Sequence, residues 1–405
     1  MAISSLKWLD FSERERRKAQ EAIALFKEQD TRDELGIGTV RDAFAGLLFP
    51  GTGTLQTRAA YFLLVPWMCL EFEAKKVPSR EIGARARTAE LKLIDVLADS
   101  ADPEGTIGIQ ARASLQRVAS SIYWQGLGVL GIRRFPGSQD AYQRALDGFY
   151  LARGGGVQND DGEPVGGSIP RAWHHAIPRC PTKFPNEASL SLRRIDAEYL
   201  RERLLSCAPA SLFALFLDRG YEPGGASYAW EHPRLADFPG ELREQLSHAR
   251  NFSEVMHGSA LLYNLMLSEK ARREMLVEQY RDQFRVWGRR MIEADLVFRE
   301  WDRSRFWQLI DDTDARITPH TRAFVDKWVE LARLPLKGAN EEHARRLIHE
   351  REWTLKRGQA RLENPRALER WGGAAGTRPL NYRWPVAKTM IDDIQKGLAE
   401  GAARA

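Results

Sequence analysis

The sequence predicts a mainly α-helical, multi-helix protein, and three observations carry that reading. Apolar residues recur at steps of three and four, most clearly at Leu276, Tyr280, Phe284, Trp287, Met291, Ala294, Phe298 and Trp301. Helix-opening pairs stand ahead of apolar runs, as with Ser12 followed by Glu15 and with Asn364 followed by Pro365. With 405 residues, 43% of them hydrophobic, the chain can bury a real core, and its length suggests about two to three domains.

Taken in order, a capped helix is expected from Ser12 to near Asp30, its apolar positions being Ala19, Ile23 and Phe26. A short helix follows over Val40–Leu48, stopped by Pro50-Gly51, and another from about Leu55 to Lys76, kinked at Pro66, with Thr52 or Thr54 as its N-cap. Periodicity then gives helices at Thr88–Leu97, Ala111–Val118 and Ser120–Leu130, followed by Gly131 to Gly137 as a turn or short strand. Two readings stay open for 88–137: a winged-helix-like subdomain whose third helix enters a DNA groove, or an ordinary helical subdomain. Glycines and five prolines between Arg153 and Pro185 leave no room for a regular element. The expected organisation is therefore an N-terminal helical domain over 1–152, a Gly/Pro-rich loop or linker over 153–186, and a C-terminal helical domain over 187–405. That last part should hold helices at Ala197–Leu205, Leu212–Leu217, Asn251–Met266, Pro319–Leu334 and Asn340–Leu362, the long amphipathic helix with the aromatic stripe, and a closing helix after Tyr382-Arg383-Trp384-Pro385.

Composition excludes several classes. No stretch approaches the ~18 apolar residues of a membrane span, the N-terminus lacks the layout of a secretory signal, and no membrane partner is expected. Cys69, Cys180 and Cys207 are odd in number and widely spaced, which fits free thiols in the cytoplasm. The net charge of +5 is modest, but its distribution is uneven. Arg345 to Lys388 holds eleven basic residues against four acids, and Gly105 to Gln139 holds Arg112, Arg117, Arg133 and Arg134 with no acid. These stretches suit a polyanion such as DNA, or are solvated helix faces.

Candidate chemistry is sparse. Gly51-Thr52-Gly53-Thr54 lacks the lysine of a nucleotide-binding P-loop, leaving Thr52, Thr54 and Arg58 as a contact for one phosphate, or a plain turn. Asp33, Glu34 and Asp42 could hold a catalytic Mg²⁺, yet neighbouring arginines favour ion pairs and helix caps that lock the turn at Gly36 and Gly38. Glu73-Ala74-Lys75 and Glu90-Leu91-Lys92 spell a nuclease Glu-x-Lys in helical surroundings. His174, His175 and Cys180 lack paired zinc ligands, and His257-Gly258-Ser259 lacks a nucleophile elbow and reads as a helix start with a satisfied histidine. No metal or cofactor is expected. Aromatics interleave with arginine at Arg370-Trp371 and Tyr382-Arg383-Trp384, an arrangement used by base stacking and by packed helices alike. The candidate nucleic-acid contacts are Thr52, Arg58, Arg133, Arg134, Arg370 and Arg383.

Trp8-Leu9-Asp10-Phe11, RDELGIG (32–38), RDAFAGLLFPGT (41–52), TRAAYFLLVPW (57–67), SSIYWQGLGVLGIRR (120–134) and NYRWP (381–385) together resemble the signatures of a bacterial family, domain of unknown function 6361, over essentially the whole chain. Ala60 departs from the arginine that the family spelling implies, which leaves Arg58 alone. The resemblance carries no activity. It implies a setting in anti-phage defence or DNA-restriction gene clusters, and hence an accessory subunit that binds DNA or bridges helicase or nuclease partners. A metal-dependent nuclease using Asp33, Glu34 and Asp42 and a purely architectural subunit stay as alternatives.

Overall fold

A computed structural model describes residues 33–154 and 171–400. The expected helix from Ser12 to Asp30, the Trp8–Phe11 motif and most of the Gly/Pro-rich loop lie outside the described residues. Those that are described form fifteen α-helices and no strand, only a single β-bridge between Arg133 and Trp173. The mainly helical class is as the periodicity requires.

In chain order the helices are α1 (Gly38–Leu48), α2 (Tyr61–Ala74), α3 (Ser79–Ala98), α4 (Ala119–Val129), α5 (Gln139–Gly154), α6 (Arg194–Cys207), α7 (Leu212–Arg219) and α8 (Gly240–Lys270). There follow α9 (Glu274–Glu293), α10 (Asp295–Arg299), α11 (Arg303–Asp311), α12 (Pro319–Ala332), α13 (Ala339–Lys356), α14 (Pro365–Glu369) and α15 (Trp384–Glu400). They belong to two compact units that are not consecutive blocks of chain. Among the described residues the first takes in 33–43 and 247–380, and the second 44–154, 171–246 and 381–400, so 171–186 falls within the second.

In the first unit, Asp33 caps α1 by accepting from the amides of Ile37 (2.8 Å) and Gly38 (2.7 Å). Arg351 of α13, 5% exposed, donates to the carbonyls of Leu35 (2.8 Å) and Gly36 (3.1 Å) and to the Thr321 hydroxyl (2.9 Å). The aromatic stripe is core, with Tyr280, Phe284, Trp287, Met291, Phe298 and Trp301 all buried. It does not lie on one long helix, because the chain breaks at Ala294 between α9 and α10. The longest helix is instead α8, on which the Trp287 and Trp328 indoles each rest a hydrogen bond, to Glu254 O and Val255 O, both at 2.8 Å. Asn364 caps α14 with Pro365 in its first turn, as its sequence signature requires. α13 ends at Lys356, short of Leu362, where Arg357 turns to a positive φ.

In the second unit, α2 is buried on every side from Tyr61 to Met68. It begins at Tyr61 and not near Leu55, and Thr52 does not cap it: the Thr52 hydroxyl donates back to Phe49 O at 2.6 Å, closing α1. Gly51 sits at φ +80 on this turn, and a Cβ on Gly126 of α4 would meet Gly51 O at 2.2 Å, so two glycines let the turn touch the helix. The helix expected over Ala111–Val118 is only a 3-10 turn, Arg112–Ser114, where the Ser114 hydroxyl takes the Ala111 carbonyl. α4 is capped from outside by buried Glu90 of α3, which accepts from the Ser120 amide (2.9 Å) and hydroxyl (2.6 Å). Tyr382 and Arg383 both take positive φ ahead of α15, strain held by the burial of Tyr382 against Phe44 and Trp230 and by the bond from Arg383 to Thr52 O (2.6 Å). Within 88–137 the Gly131–Gly137 segment has no hairpin of its own; its bridge runs to Trp173.

Candidate nucleic-acid interface

α4 stops at Leu130, and Gly131 turns the chain so that the Arg133 amide returns to Leu127 O (2.9 Å). The next residues run beside 172–174: the amides of Arg134 (2.8 Å) and Phe135 (3.0 Å) meet Ala172 O, and the His174 amide meets Ile132 O (2.8 Å). Trp173 anchors this ladder. Its indole donates to buried Glu73 (3.0 Å), which also accepts from the Tyr142 hydroxyl (2.7 Å). The ladder joins two stretches of chain, Gly105–Gln139 and Arg171–Asn186, neither of which contains an acid. Arg134, Arg171, His175 and Arg179 are exposed there.

Below this face, α6 presents Tyr199, Arg203 and Cys207. Arg203 lies 3.1 Å from Nε2 of His174, donates to Leu130 O (3.1 Å) and meets Sγ of Cys207 at 2.9 Å. Burial, and then the charges of Arg203, Arg134 and His175, hold the His174 pKa below the ordinary histidine value. Burial, more than any neighbouring charge, pushes the Tyr199 phenol upward.

The sequence-derived candidates divide sharply. Arg134 is exposed and pairs with no described acid. Arg133 lies over the Trp124 ring at 4.8 Å and donates to Trp124 O and to the carbonyls of Phe135 and Gly137, and burial lowers its pKa. Arg58 is held between Asp393 (2.8 Å) and Asp102 (2.6 Å) and donates to Glu104 O (2.8 Å). Burial opposes its charge, but the bonds to Asp102 and Asp393 keep its pKa above normal. Thr52 is buried, and its carbonyl receives Arg383. Arg370 is exposed, in the first unit. Trp371, Tyr382 and Trp384 are at most 1% exposed, so they offer no open ring to a base.

Six of the eleven basic residues of 345–388 are held within the fold, Arg383 by Thr52 O among them. Arg345 pairs with Glu269 and Glu341, Lys356 and Arg361 with Glu34, Arg351 with carbonyls, and Lys388 with Ala226 O. The acids proposed for Mg²⁺ do not converge: Asp33 caps α1, Glu34 faces Lys356 and Arg361, and Asp42 is 3.2 Å from Arg41. No group of three metal-binding side chains occurs among the described residues. His257 lies mid-helix in α8, not at a helix start, with its Nε2 on Thr377 O (3.0 Å). Sequence reasoning weighed His174 and His175 only for zinc and missed Arg171, Arg179, Tyr199 and Arg203. The absence of acids across 171–186 was the readable signal.

Fold and surface together define an all-helical protein, among its described residues, with exposed cations along one acid-free ladder of the second unit. The chain belongs to DUF6361, a family of unknown function, whose pattern matches residues 3–397. No curated protein and no solved structure matches it. No helix among the described residues is long and apolar enough to cross a membrane.

Proposed function

We propose that the protein is a non-catalytic accessory subunit of a bacterial anti-phage defence or DNA-restriction complex, which holds DNA by its phosphates beside helicase or nuclease subunits. The observation that carries the DNA reading is the meeting of two acid-free segments at the Arg133–Trp173 bridge, which puts Arg134, Arg171, His175 and Arg179 on an exposed surface. Phosphate contacts of this kind are sequence-independent and salt-sensitive, because each one releases counterions. The nuclease alternative has no such support, since Asp33, Glu34 and Asp42 already serve a cap and ion pairs.

Fluorescence anisotropy with a labelled duplex, between about 50 and 200 mM salt, tests this reading, each phosphate contact adding about 0.9 to the log–log slope. Arg134→Gln is expected to lower that slope by about one contact, and Arg134→Glu/Arg171→Glu/Arg179→Glu to abolish binding. A charge-matched triple change at Arg346, Arg366 and Arg370, all exposed in the first unit, is expected to leave it intact. The reading is lost if the wild-type chain shows no salt-sensitive binding, or if the first triple variant binds normally. Co-purification from the native operon tests the helicase and nuclease partners.

A further inference from the structure

Arg133 and Arg134 are neighbours in the turn after α4 but meet opposite surroundings. Arg134 is exposed, whereas the Arg133 guanidinium is drawn inward, over the buried Trp124 ring at 4.8 Å. There it donates to three carbonyls: Nε to Trp124 O of α4 (3.2 Å), and Nη1 to Phe135 O and to Gly137 O (3.3 Å). No described acid offsets its charge, and burial holds its pKa down. Desolvating a guanidinium without an acid is costly, so its place here needs a reason beyond filling space. What it supplies is reach, because one planar fork ties α4 to both Phe135 and Gly137. Trp124 closes the same link: its indole donates to Gly137 O (3.0 Å), and its ring meets that of Trp173 at 6.0 Å. The turn is further fixed by the Arg133 amide on Leu127 O (2.9 Å) and by the Arg134 and Phe135 amides on Ala172 O (2.8 and 3.0 Å).

We propose that Arg133 is a positioning residue for DNA binding: it braces the 131–137 turn against α4, so that Arg134 meets a phosphate on backbone that is already ordered. The proposal rests on the DNA reading above and gives Arg133 a role within it that is not a phosphate contact. The two roles leave different marks. The salt slope counts the phosphates neutralised, so losing a contact lowers it, while losing a brace lowers affinity at constant slope. Ordering about one backbone residue on binding weakens affinity about tenfold.

Gly128 of α4 offers a perturbation that leaves every charge in place. A Cβ there would lie 2.3 Å from Nη2 of Arg133, so Gly128→Ala displaces the guanidinium, the flexible end of its side chain, and improves the helix propensity of α4. Arg133→Lys keeps the charge without the fork, and Arg133→Gln removes both. The full chain and these variants are compared by fluorescence anisotropy with a labelled duplex between about 50 and 200 mM salt, and by hydrogen–deuterium exchange without DNA. All three variants are expected to bind about tenfold more weakly at an unchanged salt slope, with faster exchange over 131–137. Wild-type affinity in Gly128→Ala and Arg133→Lys, or unchanged exchange over 131–137, overturns the positioning role and leaves the DNA reading standing. A slope lowered by about 0.9 in Arg133→Gln overturns it as well, since it marks a phosphate contact at Arg133 itself. Absence of salt-sensitive binding in the wild type overturns the DNA reading.

Discussion

Replacing Gly258 by alanine tests the packing of the first unit at its tightest point. A Cβ on Gly258 would lie 2.1 Å from Cζ2 and 2.2 Å from Cε2 of Trp287, so the ring or the helix must move by most of an ångström. The ring has nowhere to go. It is 0% exposed, donates to Glu254 O at 2.8 Å, and stacks on Phe284 at 5.3 Å and Trp328 at 6.1 Å. Overpacking of this kind costs about 1–3 kcal/mol, and a disturbed indole hydrogen bond adds about 1 kcal/mol. Alanine's better helix propensity returns about 1 kcal/mol, so the net loss is about 2 kcal/mol. Gly288, on α9, has nothing within 4 Å of its Cβ position, and Gly288→Ala is expected to gain about 1 kcal/mol through propensity alone. Urea unfolding of the full chain, followed by tryptophan fluorescence and far-ultraviolet circular dichroism, reads both changes as opposite shifts of midpoint. A Gly258→Ala protein as stable as wild type, beside a stabilised Gly288→Ala protein, would refute this account of how α8 meets Trp287.

In the second unit, Asp393→Ala strips Arg58 of one of its two carboxylates and is expected to destabilise by about 3 kcal/mol or more, seen as a lower thermal midpoint; Arg58→Met/Asp393→Leu is expected to recover much of the loss. Burial raises the Glu90 pKa, so its contribution to stability is greatest below about pH 4.5 and falls as pH rises through the folded-state value. Glu90→Gln should therefore be as stable as wild type at acid pH and gain on it toward neutrality, in unfolding measured across that range. His257 has its pKa lowered to about 4 by burial first, and then by Arg290. Its contribution is full above the unfolded value of 6.5 and shrinks as pH falls toward 4, by about 3 kcal/mol in all, and its imidazole carbon resonance should titrate near 4 by NMR.

Helices were legible in the sequence wherever a core-facing stripe was long, as at Tyr280, Phe284, Trp287 and Met291, because burial of that stripe outweighs local detail. Helix limits were less legible where a side chain competes with the backbone. Thr52 has the composition of an N-cap, yet its hydroxyl turns back to Phe49 O, and Ser114 closes a 3-10 turn where the apolar spacing spelled a helix. Glu90 shows the converse. Its Glu-x-Lys spelling suggested chemistry, while its carboxylate replaces the missing cap of a helix thirty residues away, a pairing that only tertiary structure sets. The two units were not legible at all, since each draws on distant segments, as Arg58 and Asp393 show across 335 positions.

Charge was the most misleading guide when counted along the chain. In the largest excess, over 345–388, Arg346, Arg357, Arg366, Arg370 and Arg378 are exposed, while Arg345, Lys356 and Arg361 pair with acids, half-buried Glu269 and buried Glu34 among them, and Arg351, Arg383 and Lys388 with carbonyls. A cation so bound reaches a phosphate only by giving up a desolvated ion pair, an exchange that gains little. In the smaller, acid-free stretch 105–139, Arg112 pairs with Asp95 while Arg134 pairs with no described acid, and a bridge joins the stretch to a second one that lacks acids. On the proposed DNA reading, what marks a polyanion contact is an exposed cation on paired acid-free segments, and not the number of arginines in one segment. That criterion selects Arg134, Arg171 and Arg179 over Arg58, Arg133 and Arg383, and the salt dependence of the corresponding variants decides between the two sets.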